Sequence, residues 1–276
     1  MNVLITTDFS KNARNAVCYA LSFFGNVDAQ FHILHVENNL EQAPFLEDTS
    51  TAASITVENN TATNKLERLK ELLIKKKLAV PSKISLHFEQ KKFIDVIREK
   101  VETLSIDFIA MGTKGASALK QSTVGSHTTD VITRVKCPVF VIPEKATYQP
   151  PKSVVFPTDF NSIYQSKVLR TLSHILLLNK AELSVLYVSK KNEELSLQQK
   201  KHKRAIRAYL KYLPHNFHFT VNSTLEEALQ VFLESHNISI IAMSAKNINL
   251  FQHLLFHPEL EKISYPERLP FLVLHE

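Results

Sequence analysis

Apolar and polar residues alternate along the chain in blocks that predict strands separated by helices. Short apolar runs such as Val3–Thr7, Phe31–Val36 and Ile84–Phe88 are typical of buried strands. Between these runs, apolar residues recur every three or four positions, as on the core-facing side of a helix. The first such helix follows Ser10, which is predicted to cap it. Strands that alternate with helices predict βαβ units around a parallel sheet.

The same series of strands occurs twice, which identifies the chain as an internal repeat. The segment NVLITTDFS at Asn2–Ser10 returns as SVVFPTDFN at Ser153–Asn161. The segment CPVFVIPE at Cys137–Glu144 returns as LPFLVLHE at Leu269–Glu276. A short proline-containing linker, TYQPP at 147–151, joins the two copies.

The repeat predicts an α/β fold of two tandem domains, at residues 1–146 and 152–276. Each domain is predicted to be a doubly wound, five-stranded parallel sheet of the Rossmann-like kind, with right-handed crossovers. The last strands of the two copies, Val139–Ile142 and Phe271–Leu274, are predicted edge strands. At such edges the two copies, or two chains, would pair.

Two stretches fit the pattern less well. The polar stretch Glu37–Asn64 fits either a mobile loop or the frayed start of the following helix. The last helix of the second copy, between Leu250 and Ile263, is poorly defined because Pro258 and Pro266 interrupt it.

The composition is that of a globular protein without a membrane span. The 276 residues are 44% hydrophobic and 22% charged, and no apolar run approaches the ~18 residues that a span needs. The N-terminus enters a strand directly and does not resemble a signal peptide. Two cysteines, Cys18 and Cys137, are too few for a disulfide framework and suit a reducing compartment. We therefore expect a cytoplasmic protein with no membrane partner.

The net charge is positive but modest. It is +6 for the whole chain and, divided at Pro150, +2 for the first part and +4 for the second. This balance is compatible with an anionic ligand and too weak to argue for nucleic acid. The basic run KKHKRAIR at Lys200–Arg207 could touch nucleic acid or an acidic partner, but a solvated helix face is the simpler interpretation.

The candidate chemistry lies in one stretch, Ile106–Pro143. An apolar strand ends there at Gly112, Gly115 follows, and Gly125-Ser126 opens a predicted helix. Three of the four glycines of the chain lie in this stretch. A strand, a glycine loop and a helix N-terminus together suit a phosphate group, because glycines allow close approach and the first helical N–H groups point at the anion. The alternative is that these glycines serve only as turn and cap residues.

The spacing Gly-x2-Gly-x9-Gly-Ser resembles the nucleotide-binding signature of the universal stress protein family, in its ATP-binding branch. The match starts at Met111-Gly112, and a Cys-Pro-Val strand at Cys137 follows the helix. The resemblance implies an adenine nucleotide alpha hydrolase-like fold that binds ATP, or AMP or ADP, with or without Mg²⁺. It also implies pseudo-symmetric packing of the tandem copies and leaves a homodimer open.

The same resemblance assigns site residues in the first copy. The positions that match the adenine and ribose contacts of the family are Thr7, Asp8 and, through its backbone, Val36. The positions that match its phosphate contacts, next to Met111, are Gly112, Lys114, Gly115, Gly125, Ser126, His127 and Thr128. The hydroxyls of Ser126 and Thr128 suit an anion site at the start of a helix.

Three of these assignments have a simpler alternative. If the first and fourth strands are neighbours, Asp8 lies across the crevice from the glycines, and its carboxylate would accept from ribose hydroxyls or orient a cation. Alternatively Asp8 caps the first helix, and Asp159 repeats it in the second copy, where the glycines are gone. Lys114 is either an electrostatic partner of phosphate or an exposed loop lysine. His127, where a small or aliphatic residue is expected, either contacts phosphate when protonated or points to solvent.

The second copy lacks the residues of the signature. The three glycines and the serine are replaced, in order, by Ser244, Asn247, His257 and Pro258, and the second copy contains no glycine. A proline at the start of the helix removes a phosphate-binding N–H group. We therefore predict that the second copy does not bind ATP in the manner of the family and serves as a structural partner, although a different ligand there stays open.

Signs of other chemistry are weak. His253 and His257 have the i, i+4 spacing of a zinc pair, but no third ligand stands nearby in the sequence, so no metal site is predicted. The sequence has no GxSxG elbow, no HExxH and no Cys–His arrangement that suggests hydrolysis. We expect no catalytic residues, and at most a slow ATPase activity.

The leading hypothesis is a stress-response protein that binds one adenine nucleotide in its first copy and acts as a nucleotide-dependent regulatory module. The rival is a structural or interaction protein without nucleotide binding, whose second copy binds a partner or a small apolar ligand. A hydrolase or transferase acting on nucleotides would share the sheet, but the sequence has no recognisable acid and base pair for it.

Overall fold

The computed structural model describes residues 1–37, 51–113, 125–161, 166–189, 194–221, 223–245 and 268–275, with the backbone alone for 51–60. The described strands are β1 (Asn2–Thr6), β2 (Gln30–Val36), β3 (Ile84–Glu89), β4 (Phe108–Gly112), β5 (Val139–Ile142), β6 (Ser153–Thr158), β7 (Glu182–Ser189), β8 (His215–Val221), β9 (Ile240–Ser244) and β10 (Phe271–Leu274). The described helices are α1 (Lys11–Phe24), α2 (Thr51–Lys75), α3 (Phe93–Thr103), α4 (Ser126–Arg134), α5 (Ser166–Asn179), α6 (Leu197–Tyr209) and α7 (Leu225–Ser235).

The strands form one sheet in the order β3-β2-β1-β4-β5-β10-β9-β6-β7-β8. Within each copy the strands are parallel, and the two copies have the same internal order, since β8-β7-β6-β9-β10 corresponds to β3-β2-β1-β4-β5. The first strand of each copy lies between the second and fourth strands, as in a doubly wound sheet. The predicted α/β fold class is confirmed.

The two copies join through their last strands. β5 pairs antiparallel with β10, with Val141 opposite Phe271 and Phe140 opposite Leu272. The two predicted edge strands therefore pair with each other inside one chain, and the ends of the sheet are β3 and β8. The domain boundaries at 1–146 and 152–276 stay a prediction, because the sheet runs through both copies without a break.

Helices cover both faces of the sheet. Side chains from α1, α2, α5 and α6 form one buried cluster, and side chains from α3, α4 and α7 form the other. Neighbouring residues of a strand point to opposite faces, so Val3 and Ile5 belong to the first cluster and Leu4 to the second. Among the described residues, no helix is long and apolar enough to cross a membrane.

Two predicted elements differ from the structure in their limits. α2 already begins at Thr51, so the later part of the polar stretch Glu37–Asn64 is helical, where its polar residues hide the helical period. Residues 38–50, and the poorly defined helix at 250–263, lie outside the described residues. β4 begins at Phe108 and not at Ile106, because the Ile106 N–H donates to Val101 O and closes the end of α3.

Three helices end without the usual glycine. The residue just past α2, α3 and α5 is left-handed in each case: Lys77 (φ 57°), Ser105 (φ 48°) and Lys180 (φ 51°). After each of them an N–H group bonds back to the last turn, as Leu78 N does to Leu73 O at 3.1 Å. The chain therefore does not use its few glycines at these three helix ends.

Candidate functional site

Those predicted site residues that the structure describes lie where the winding of the first copy reverses. β1 pairs with β4, with Val3 opposite Phe108, and the chain leaves these two strands toward opposite faces of the sheet. Thr7 and Asp8 follow β1, and Gly112 ends β4. The two groups therefore lie at the same edge, in the crevice where doubly wound sheets bind their ligands.

The side chain of Asn12 lies directly over Gly112. A Cβ atom at position 112 would stand 3.0 Å from Cγ and Nδ2 of Asn12, which is closer than side chains normally pack. The Asn12 Nδ2 group also donates to Thr113 Oγ1 at 3.3 Å, and both residues are buried. Asn12 thus links the start of α1 to the end of β4, and a side chain at position 112 would crowd it.

The two ends of the glycine loop are tied together. The Gly125 N–H donates to Thr113 O at 2.5 Å, and the Thr128 hydroxyl donates to Gly112 O at 2.9 Å. The start of α4 is therefore held against the end of β4. Because the Thr128 hydroxyl uses its proton to bond Gly112 O, Thr128 serves to position the start of α4. Lys114 and Gly115 lie outside the described residues.

The N-terminus of α4 has no capping side chain of its own. Its N-cap residue is Gly125, with φ −76° and ψ 156°, a conformation that any residue adopts. By contrast, Ser10 caps α1 by accepting from the Ala13 N–H at 3.1 Å, as predicted. First-turn N–H groups that no N-cap side chain occupies fit an anion such as phosphate.

The exposed residues Ser126 and His127 stand at this start of α4. The ring of His127 stacks on Phe93 of α3, with ring centroids 4.4 Å apart and an interplanar angle of 27°. His127 therefore packs on a neighbouring helix, an arrangement that neither interpretation of this residue included.

On the other side of the crevice, Thr7 and Asp8 build a tight turn. Thr7 Oγ1 accepts from the Phe9 N–H at 3.1 Å, and Asp8 Oδ1 accepts from the Ser10 N–H at 3.0 Å. Phe9 between them is left-handed, with φ 63°. Asp8 therefore shapes the turn before α1 and does not cap the helix, because the N-cap is Ser10; the contact with ribose stays a prediction.

His35 connects this turn to β2 and to Val36. Its Nδ1–H group donates to Thr7 O at 2.7 Å, and its Nε2 atom lies 3.3 Å from Glu37 Oε1. Its ring contacts Phe9, with centroids 4.5 Å apart. The neighbouring Val36, which ends β2, packs on the buried cluster under α3 and α4.

Sequence reasoning missed Asn12, Thr113 and His35. Asn12 left a signal, because it lies on the same helical stripe as Ala16 and Ala20, where a polar residue is unexpected. The sequence contains no such signal for His35, because its partner Thr7 is 28 residues away.

The second copy repeats the turn but not the rest. Thr158 Oγ1 accepts from the Phe160 N–H at 3.0 Å, and Asp159 Oδ1 accepts from the Asn161 N–H at 2.9 Å. The Phe160 ring is fully buried and stacks on Tyr187, with centroids 5.2 Å apart. At the position of Gly112 stands Ser244, which is 1% exposed. The other counterparts, Asn247, His257 and Pro258, lie outside the described residues, as does His253.

Within the described part of the chain, no three His, Cys, Asp or Glu side chains come close enough together to hold a metal ion. The crevice of the first copy thus combines three features: the N-terminus of α4, a glycine loop whose two ends are bonded together, and the turn that holds the Asp8 carboxylate.

Comparison with known proteins gives the family of the chain. The model of the universal stress protein family matches residues 1–143, which is more than half of the 276 residues. The chain belongs to the universal stress protein family. None of the curated proteins compared with it matches.

Solved universal stress proteins have the same fold. One from Archaeoglobus fulgidus aligns over 99% of this chain and 98% of its own length, with 18% identity and a TM-score of 0.70. A putative universal stress protein from Pseudomonas aeruginosa aligns over 99% of this chain and 92% of its own, with 14% identity and a TM-score of 0.56. A universal stress protein in complex with cAMP covers 51% of this chain at 18% identity and a TM-score of 0.39, a likeness too distant to carry an argument.

Proposed function

We propose that this universal stress protein binds one adenine nucleotide in its first copy, as ATP or as AMP or ADP. The observation that carries the proposal is the tied glycine loop, in which Asn12 packs closely over Gly112 while Gly125 and Thr128 bond to the end of β4. The nucleotide phosphates would lie at the N-terminus of α4, where N–H groups without a capping side chain attract anions.

The base and ribose would lie on the other side of the crevice, against Thr7, Asp8 and the backbone of Val36. A ribose hydroxyl would donate to the carboxylate of Asp8, whose Oδ1 atom also accepts from the Ser10 N–H. Lys114 and Gly115 belong to the same proposed site through the sequence signature alone.

The second copy is proposed not to bind a nucleotide in this way. Phe160, Tyr187 and Phe219 form an aromatic cluster at the corresponding carboxyl ends of β6, β7 and β8, with centroids 5.2 to 6.4 Å apart. Ser244 replaces Gly112, and no glycine follows it in the sequence. The second copy would therefore support the first through the β5–β10 pair.

We propose a binding and regulatory function rather than rapid turnover. The carboxylate of the crevice, Asp8, is tied to its own turn, which supports holding a ligand over activating water. Occupancy by ATP, with or without Mg²⁺, would bias how the copies or two chains pack and so report a stress state. The two free cysteines, Cys18 and Cys137, support a cytoplasmic location.

The repeated turn offers a matched pair of variants to test this function. Asp8→Asn and Asp159→Asn each preserve the acceptor oxygen of the turn, but only Asp8→Asn removes a charge from the proposed site. We expect Asp8→Asn to weaken ATP binding about tenfold, and Asp159→Asn to leave it unchanged, in isothermal titration calorimetry.

Release of bound ligand provides the independent test. Freshly purified protein is denatured and its small molecules are identified by mass spectrometry, beside a Gly115→Val variant. Adenine nucleotide from the wild type alone supports the proposal. No nucleotide from either protein, together with no rise of Tm on added ATP, would favour the rival interaction module.

A further inference from the structure

The far edge of the second copy carries a surface that nucleotide binding does not explain. We define the α6–β8 surface by Lys203, Arg207, Lys211, Tyr212 and Phe219. β8 is the last strand of the sheet, and among the described strands it has a neighbour only on the side of β7. α6 precedes β8 and packs beside it, with His202 and Ile206 buried underneath. This surface therefore lies at the open end of the sheet, away from the β5–β10 pair.

Three cations form a row along this edge. Lys203, Arg207 and Lys211 follow one another at intervals of four residues. Lys203 and Arg207 stand on one side of α6 about 6 Å apart, and Lys211 follows in the turn between α6 and β8. Lys203 and Arg207 contact rings of β8, and Lys211 contacts the ring of Tyr212 in the turn before β8. The row therefore lies along the edge strand of the sheet.

Each cation of the row lies over an aromatic ring. Lys203 Nζ is 4.3 Å from the centre of the Phe219 ring, Arg207 Cζ is 5.3 Å from that of Phe217, and Lys211 Nζ is 5.1 Å from that of Tyr212. Cations and rings thus alternate along the surface, at cation–π distances.

The rings of this surface are open to solvent. Tyr212 is 87% exposed, Phe219 48% and the nearby Tyr209 41%. They are the exposed aromatic side chains of the described residues, and all three lie within α6, β8 and the turn between them. Single exposed apolar residues are common, but a set of rings gathered in one place marks an interaction site.

The charge of this surface is not balanced locally. No acidic residue occurs from 195 to 213, which contains six lysines and arginines. Within the described part of the chain, only Lys200 of these six has a carboxylate partner, Glu194 at 3.2 Å. In the first copy, by contrast, Glu67 and Glu71 interrupt the basic residues of α2. The partner should therefore be a polyanion.

We propose that the α6–β8 surface binds single-stranded nucleic acid. The cations would hold successive phosphates, and the exposed rings would stack on bases, which single strands present and duplexes hide. The net charge of the chain alone did not favour nucleic acid; the alternation of cations with exposed rings at one sheet edge does. The proposal is independent of nucleotide binding in the first copy.

Fluorescence anisotropy with a fluorescein-labelled oligothymidylate of about fifteen nucleotides tests this proposal. Thymidylate avoids the adenine site, and excess ATP should not compete. The test variant replaces Lys203, Arg207 and Lys211 by alanine. A charge-matched control replaces Lys70 and Lys75 of α2 and Lys76, which follows it. We expect the test variant to lower the magnitude of the slope of log K against log salt by about 2, and the control to preserve the slope.

A second variant separates stacking from charge. Tyr212→Ala removes the most exposed ring of the surface and should weaken oligothymidylate binding about fivefold or more at constant salt. Its effect on polyglutamate, used as a polyanion without bases, should be small. Absence of binding at about 50 mM salt, or equal losses in the two triple variants, would overturn the proposal. Polyglutamate that binds as tightly as oligothymidylate would also overturn it and would indicate an acidic protein partner.

Discussion

The turns after β1 and β6 have the same geometry but different surroundings. In both, a threonine and an aspartate accept N–H groups two residues ahead, and a left-handed phenylalanine lies between the acceptors and the helix that follows. Phe9 of the first copy is half-buried beside His35, whereas Phe160 is fully buried in an aromatic cluster. The turn alone therefore belongs to the fold of both copies. The proposed site of the first copy is distinguished by the residues that lie across the crevice from this turn.

Across the crevice the two copies differ at one close contact. In the first copy Gly112 leaves room for Asn12, and Thr113 and Gly125 tie the loop. In the second, Ser244 fills the position of Gly112. The repeated turn therefore indicates local structure. The proposal of a site in one copy alone depends on the residues that differ, Gly112 and Ser244.

The largest expected effect comes from breaking the strand pair that joins the copies. Val141 of β5 is fully buried opposite Phe271. Val141→Glu therefore places a carboxylate in the buried cluster that α3, α4 and α7 cover. We expect a loss of ~3–5 kcal/mol in the free energy of unfolding, measured by urea denaturation. The matched control Val231→Glu, at a position 65% exposed on α7, should cost less than ~0.5 kcal/mol. Similar losses at both positions would show that the pair is not the common core of the copies.

The contact that separates the two crevices gives the second prediction. Gly112→Ala forces a Cβ atom against Asn12 and should cost ~1–3 kcal/mol of stability. Asn12→Ala in the same chain should recover part of this loss, because the crowding disappears. Chemical denaturation of the single and double variants measures the coupling, and simple additivity would contradict the described contact.

A buried histidine in the second copy gives the third. Burial, and then the charge of Lys167, lowers the pKa of His275 to about 4. Above pH ~6.5 the ring is neutral in both folded and unfolded chains; below it, the unfolded chain binds the proton first. His275 should therefore cost ~1–3 kcal/mol of stability as the pH falls from 6.5 to 4. The first copy has Pro143 at this position, so His275→Pro or His275→Leu should flatten this part of the pH profile. An unchanged profile in both variants would contradict the prediction.

The smallest effect concerns a left-handed lysine after one helix of each copy. α2 and α5 each end at a left-handed lysine, Lys77 and Lys180. Glycine adopts this conformation without steric cost, so Lys77→Gly and Lys180→Gly should each stabilise the protein by ~0.5–1 kcal/mol. Thermal unfolding measures the gain, and Lys75→Gly, inside the last turn of α2, should instead destabilise.

The sequence predicted the strands, the α/β fold class and the cap at Ser10, because these depend on apolar periodicity and on residues close in sequence. The order of the strands in the sheet came from the structure. It did not predict that helices end at Lys77 and Lys180, because lysine is unfavourable in the left-handed conformation. Hydrogen bonds back to the last helical turn offset this strain, and the sequence does not show them. The contacts of His35 with Thr7 and of Asn12 with Gly112 join residues far apart in the sequence and required the fold. The exposed rings beside α6 were also invisible, because periodicity gives no measure of exposure.

The central claim is that one copy binds a nucleotide and the other does not. Isothermal titration of the wild-type chain with ATP tests it most directly, because the stoichiometry counts the sites. We predict a single site per chain, weakened by Asp8→Asn and unaffected by Asp159→Asn. Two sites per chain, or a single site that only Asp159→Asn weakens, would contradict the account.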